Sequence, residues 1–196
     1  MLELRIHGRG GQGVVTMAEL LAKAAVKSGK EAQTLPFFGV ERRGAAVKAC
    51  VRIDDEPIKI RSMSYHPQAV ALMADNMLPF AQAEGYAEDT FFIVNHAEPL
   101  RGLSQWQWSL DAEKVAYENN LVFGGEPFIN VPMLGAVARA VGVPLEYVEE
   151  AIREQWQGAK AEPNLKAARQ AYAFVECRRW QNREDGEETE KEGAAK

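Results

Sequence analysis

The chain has 196 residues, 46% of them hydrophobic and 26% charged, with a formal net charge of −5. That is enough apolar material for one well-packed core and is most economically a single domain. The acidic balance argues against wholesale nucleic-acid binding, no apolar run is long enough for a membrane span, and two cysteines exclude a disulfide framework or a self-contained cubane cluster. Met1-Leu2-Glu3-Leu4-Arg5 enters a strand pattern without a basic segment and apolar stretch ahead of it, so a cytoplasmic location is expected.

In chain order, Leu2–His7 reads as a strand and Gly13–Ser28 as a helix closed by Gly29 at C′. Glu31–Leu35 is a short strand stopped by Pro36. Ala45–Ile53 is a stronger strand, with Val47, Ala49 and Val51 on one face. The acidic triplet Asp54-Asp55-Glu56 suits a hairpin into a return strand at Pro57–Arg61, which makes part of the sheet antiparallel. Ala69–Met73 and Thr90–Asn95 read as buried strands with a helix at Asp75–Ala83 between them. An edge strand at Gln107–Asp111, with Trp106 and Trp108 packing at the rim, precedes a helix at Ala112–Asn119. Helices at Val131–Val141, Leu145–Gln155 and Asn164 to Trp180 follow. Strands interleaved with helices predict an α/β sandwich with a mixed sheet over residues 1–180. Residues 181–196 contain Glu187, Glu188, Glu190 and Glu192 but no aliphatic larger than alanine, so a solvated, mobile tail is expected.

The stretch Gly8-Arg9-Gly10-Gly11-Gln12-Gly13 joins the first strand to the first helix. Strand, glycine turn and helix in that order present the positive end of a helix to an anion. A Walker A loop is excluded, because Gln12-Gly13-Val14 stands where Lys followed by Ser or Thr is required. The six residues do satisfy G-x-G-x-x-G. A dinucleotide site also wants an acid at the end of the second strand, and Gln33-Thr34-Leu35-Pro36-Phe37-Phe38 offers none. Three readings stay open: a cradle for a phosphate of another cofactor, close packing on a partner's backbone, and a purely structural turn.

A second constellation is Phe37-Phe38-Gly39-Val40-Glu41-Arg42-Arg43-Gly44-Ala45, a loop between the second and third strands. Arginine forks bind phosphate or carboxylate bidentately, so Arg42 or Arg43 is a candidate ligand beside the glycine turn. Glu41 is expected to brace the loop by pairing with one of them. His7 is expected to hydrogen-bond a loop rather than act as a base, and Cys50 to be a core thiol. Cys177 should pack on the last helix. Asn130 should cap the helix that Pro132 enters in its first turn. His7, His66 and His96 show no metal-ligand spacing.

Taken together, the Gly8–Gly13 turn and Phe38-Gly39-Val40-Glu41-Arg42-Arg43-Gly44 resemble the gamma subunit of 2-oxoacid (pyruvate-type):ferredoxin oxidoreductases. Asn130-Val131-Pro132-Met133-Leu134-Gly135-Ala136 and the stretch from Lys160 to Tyr172 around Asn164 resemble that family's later motifs, so the likeness spans about residues 1 to 175. Val40 departs from it, standing where proline is expected. The resemblance implies a three-layer α/β/α sandwich and a subunit inactive alone. It implies partners: alpha, thiamine-binding beta and ferredoxin-like delta subunits, with ferredoxin engaged through the complex. In such a complex a 2-oxoacid becomes an acyl-coenzyme A, while thiamine diphosphate, magnesium and iron–sulfur clusters sit on the partner subunits. The site residues it implies here are Gly8, Arg9, Gly10, Gly11, Gln12, Gly13, Glu41, Arg42, Arg43 and Gly44, at or near coenzyme A. Neither nucleic acid nor membrane is an expected partner, and the isolated chain is expected to self-associate as a homo-dimer. The alternative is a free-standing α/β nucleotide-binding or assembly module without oxidoreductase activity.

Overall fold

A computed structural model describes residues 1–37, 44–62 and 64–180, and the backbone of 190–191. The chain order is β1 (Leu2–Arg9), α1 (Val14–Lys27), β2 (Glu31–Phe37), β3 (Ala46–Asp54), β4 (Ala69–Leu72), a 3-10 turn at Asp75–Met77 and α2 (Leu78–Glu84). Then follow β5 (Phe91–Asn95), β6 (Trp106–Leu110), α3 (Ala112–Glu118), a two-residue hairpin of β7 (Val122–Phe123) and β8 (Glu126–Pro127), α4 (Asn130–Val141) and α5 (Leu145–Gln155). A 3-10 turn at Gly158–Lys160 leads into α6 (Ala161–Phe174), β9 (Glu176–Arg179) and β10 (Glu190–Lys191).

The sheet has the order β10-β9-β6-β5-β4-β1-β3-β2. Strands β1, β4, β5 and β6 are parallel, whereas β3 runs antiparallel to both β1 and β2, and β9 antiparallel to β6. Alternation along each strand assigns the two faces. Leu4 and Ile6 of β1, Ala49, Val51 and Ile53 of β3, and Ala69 and Ala71 of β4 join α1 and α3 to α6 in the main core. Val70, Leu72, Phe92 and Val94 face the other way, onto Met77 and Ala81 of the α2 segment. The result is a three-layer α/β/α sandwich with a mixed sheet, as the sequence predicts.

Strands β1 and β3 also put polar residues on the α2 face, where Arg5, His7 and Arg52 are buried. Each finds partners, as burial requires. Arg5 donates to the carbonyls of Ala81 and Gly85, at 3.3 and 2.6 Å. Arg52 binds Glu3 at 2.6 Å, Gln33 at 3.0 Å and the carbonyl of Ser62 at 2.6 Å.

Four expectations need correction. There is no return strand at Pro57–Arg61. That segment crosses the polar face, and the carbonyl of Ile60 meets the Arg52 guanidinium instead of a ladder partner. The antiparallel parts of the sheet are β1–β3 and β2–β3 at one side and β6–β9 and β9–β10 at the other. Strand β2 continues through Pro36 to Phe37, which an edge strand tolerates because its outer side needs no ladder donor. Strand β6 is interior rather than an edge, because β9 pairs with it. Finally, the last helix starts at Ala161 and ends at Phe174, where Val175 turns to an extended conformation and the chain becomes a strand. Cys177 therefore lies opposite Trp108 on a strand and not on a helix. Beyond it, Glu190–Lys191 pairs with β9, while 181–189 and 192–196 lie outside the described residues.

Candidate functional site

The link from β1 to α1 is a tight turn held by its own residues. The Gln12 N–H donates to the Arg9 carbonyl at 3.0 Å, and the Gln12 side-chain oxygen accepts from the Arg9 N–H at 2.7 Å. Gly8 allows close packing: a Cβ there would lie 2.5 Å from Val14 Cγ2 and 2.9 Å from Met73 Cγ. Gly13 occupies the cap position of α1 with φ of 75°, a left-handed conformation that side chains resist. No side chain caps α1, and its first turn holds no acidic residue. The positive pole of a 14-residue helix is thus presented at the turn with no counter-charge in its own first turn.

Sheet topology makes this end a natural binding crevice. From β1 the chain crosses by α1 over one face to β2; from the adjacent β4 it crosses by α2 over the other face to β5. Connections that diverge between neighbouring parallel strands open a gap at their carboxyl ends. Here the gap is bounded by the Met73 N–H, which donates to the His7 carbonyl at 2.8 Å. Asn95 ties the neighbouring ends together, donating to the Met73 carbonyl at 3.0 Å and accepting from the Ala112 N–H at 2.9 Å.

The flank of the arginine loop meets the glycine turn. The Gly10 N–H donates to the Ala45 carbonyl at 2.8 Å, and the Gly44 N–H to the Gly10 carbonyl at 3.2 Å. Of the predicted site residues, Gly8, Arg9, Gly10, Gly11, Gln12, Gly13 and Gly44 are brought together. Glu41, Arg42 and Arg43 fall within 38–43, outside the described residues.

Asn130 has a different place from the one expected. It is the first residue of α4 rather than its cap, which is Ile129. A Cβ on Gly13 would stand 2.9 Å from Asn130 Cβ and Nδ2, so this amide sits against the turn at the start of α1. Periodicity missed this placement at the turn; its signal was the Asn130–Ala136 motif. His7 is buried, and its partner is a side chain and not a loop: the Arg5 Nε–H donates to His7 Nε2 at 2.9 Å. Burial first, and then the Arg5 charge, lower its pKa to about 4. Cys50 is a buried thiol whose pKa burial pushes up, as expected of an inert core cysteine. Among the described residues no group of acidic, histidine or cysteine side chains could hold a metal ion, and no helix is long and apolar enough to cross a membrane.

Residues 3–174 match the sequence profile of the family described as pyruvate ferredoxin/flavodoxin oxidoreductase. The chain belongs to that family. Among its relatives is the pyruvate/ketoisovalerate oxidoreductases common subunit gamma of Thermococcus kodakarensis, 44% identical over 88% of this chain and 96% of the relative. Another is pyruvate synthase subunit PorC of Methanothermobacter thermautotrophicus, 40% identical over 90% of this chain and 97% of the relative. The crystal structure of pyruvate oxidoreductase subunit PORC from Thermotoga maritima superposes with a TM-score of 0.77 at 31% identity, covering 90% of this chain and 97% of that one. The oxidoreductase family thus accounts for the whole described fold up to α6.

Proposed function

We propose that this chain is the gamma subunit of a multi-subunit 2-oxoacid:ferredoxin oxidoreductase and that its glycine turn receives the phosphates of coenzyme A. The observation that carries the ligand assignment is the uncapped start of α1 beneath Gly8–Gly13, at the crevice between β1 and β4. A phosphate there meets backbone N–H groups and the helix dipole, with exposed Arg9 beside it and no acidic residue in the first turn. Arg42 and Arg43 add charge and close the subunit contact, while Glu41 braces the loop. The hydrogen bonds of Gly44 and Ala45 to Gly10 support that placement.

The chain's part in the reaction is to bind and orient coenzyme A against a partner. Thiamine diphosphate, with its magnesium on the beta subunit, supplies the decarboxylating chemistry when bound. The alpha subunit and the ferredoxin-like delta subunit complete the assembly, and iron–sulfur clusters on partner subunits would supply the electron transfer to ferredoxin. The relatives' names, gamma subunits of pyruvate and ketoisovalerate oxidoreductases, support a short 2-oxoacid as substrate. A free-standing nucleotide-binding module finds no support among relatives that are oxidoreductase subunits over nearly their full length.

Reconstituted complex carrying Arg42→Ala or Arg43→Ala tests this reading. Loss of one charge-assisted contact costs about 1.5–3 kcal/mol, so the coenzyme A KM should rise by at least about tenfold with the 2-oxoacid KM unchanged. Intact assembly together with intact coenzyme A affinity would overturn it.

A further inference from the structure

The polar face of the sheet carries an opening beside the glycine turn, for Ala46 and Val47 on its wall pair with Arg9 and Gly8. A cavity of about 230 Å³ is lined by His7, Phe37, Lys48, Met77, Phe80 and Glu84, among others. Its wall carries one cation, Lys48, and one anion, Glu84, and among the described residues that carboxylate is shared with the buried Arg5 behind it. Lys48 Nζ donates to Glu84 Oε1 at 2.8 Å, and Arg5 Nε lies 3.7 Å from Glu84 Oε2, so one carboxylate serves two cations. His7 does not supply the missing negative charge or add a positive one. A guanidinium N–H is always a donor, so Nε2 of His7 must accept, and the ring is neutral with its proton on Nδ1. The lysine ammonium has three donors, of which Glu84 uses one. Phe37, Met77 and Phe80 make the remaining wall apolar, with Lys48 Nζ 5.0 Å from the Phe37 ring centre.

An excess cation in a recess that is half apolar favours an anion whose body is apolar. We propose that this cavity binds a small monocarboxylate with a short hydrocarbon body, its carboxylate on Lys48 and its body against Phe37, Met77 and Phe80. The volume fits: an engineered cavity of about 150 Å³ already takes benzene, so a branched acid of similar size is accommodated. The binding rests on residues of this chain alone and is independent of the coenzyme A assignment at the glycine turn.

The full-length chain should be titrated with 3-methylbutanoate, its amide, 3-methyl-2-oxobutanoate and inorganic phosphate, following the His7 ring resonances by NMR. Saturable shifts with the acid are expected, with the neutral amide weaker by about tenfold or more. Lys48→Met should abolish binding by removing the cation. Phe80→Trp should abolish it by filling the space, and because Phe80 is 48% exposed that variant retains its fold. Either acid binding in this pattern supports the proposal, and the tighter one names the source, a 2-oxoacid or a plain carboxylate. Equal binding of acid and amide would overturn it. So would parental affinity in Lys48→Met or in Phe80→Trp, or displacement of the acid by phosphate.

Discussion

Arg5 and His7, two residues apart on β1, point to the same face of the sheet and share a hydrogen bond of 2.9 Å in which the histidine can only accept. The pair makes fold stability depend on pH. Burial lowers the His7 pKa from 6.5 to about 4, so between those values the unfolded chain binds a proton that the folded chain refuses. The contribution is fully present above about pH 6.5 and is lost as pH falls towards 4; a shift of this size corresponds to about 3 kcal/mol. Denaturant unfolding at pH 7 and pH 4.5 should show that loss. His7→Asn, whose amide oxygen also accepts from Arg5, should flatten the dependence across this window.

The glycines should separate by mechanism when each is replaced by alanine. At Gly135 a Cβ would lie 2.5 Å from the Ala168 carbonyl oxygen of α6, and backbone cannot yield as a side chain does. At Gly8 the obstacles are the side chains of Val14 and Met73. Gly11 faces open space but has φ of +98°. Overpacking costs about 1–3 kcal/mol, with Gly135→Ala at or beyond the upper end and Gly8→Ala within the range. The strain at Gly11 costs about 1 kcal/mol. Thermal unfolding of the three variants should follow that order.

Gln12→Glu separates ligand binding from folding. The Gln12 side-chain oxygen already accepts from the Arg9 N–H, and glutamate retains that acceptor. A negative charge near the start of α1 is neutral to slightly stabilising, by about 0.3–1 kcal/mol. It also repels a phosphate at the same place. The expected outcome is an unchanged or higher Tm with a coenzyme A KM raised about tenfold in the reconstituted complex. An unchanged KM would remove the anion from this turn.

Arg52 is the other buried cation of the polar face, bonded to Glu3, Gln33 and two carbonyls. Arg52→Met strands the Glu3 carboxylate, whose other oxygen is held by the Ser64 hydroxyl at 2.8 Å. Breaking a buried pair from one side costs about 3–5 kcal/mol. Adding Glu3→Gln should recover part of it, and a double-mutant cycle of unfolding free energies measures the coupling.

Much of this protein is legible in its sequence alone. The apolar periods of β1, α1, β3, β4, β5, α4 and α5 place these elements correctly, because each buries a face that its own spacing marks. Gly29, with φ of +87°, closes α1 as its position after Ser28 predicts. The glycine turn and its meeting with Gly44 follow from the strand-turn-helix order and from both loops leaving the same sheet end. The family resemblance rests on that turn, on the loop that ends at Gly44, and on the later stretches Asn130–Ala136 and Lys160–Tyr172.

What only the tertiary structure decided is which groups, distant in sequence, satisfy one another. Residues 176–179 read as the end of the last helix, yet they form β9, where they supply the hydrogen-bonding partner for the outer edge of β6. Pro57–Arg61 joins no ladder; the Ile60 carbonyl accepts from the buried Arg52 instead. Asn130 looks like a helix cap until α4 is packed on α1, when it stands against Gly13. Local pattern determines elements because it reports what a segment must bury. The partner that completes each buried polar group is chosen by the whole fold, and here that choice placed Asn130 at the glycine turn and His7 beside Arg5.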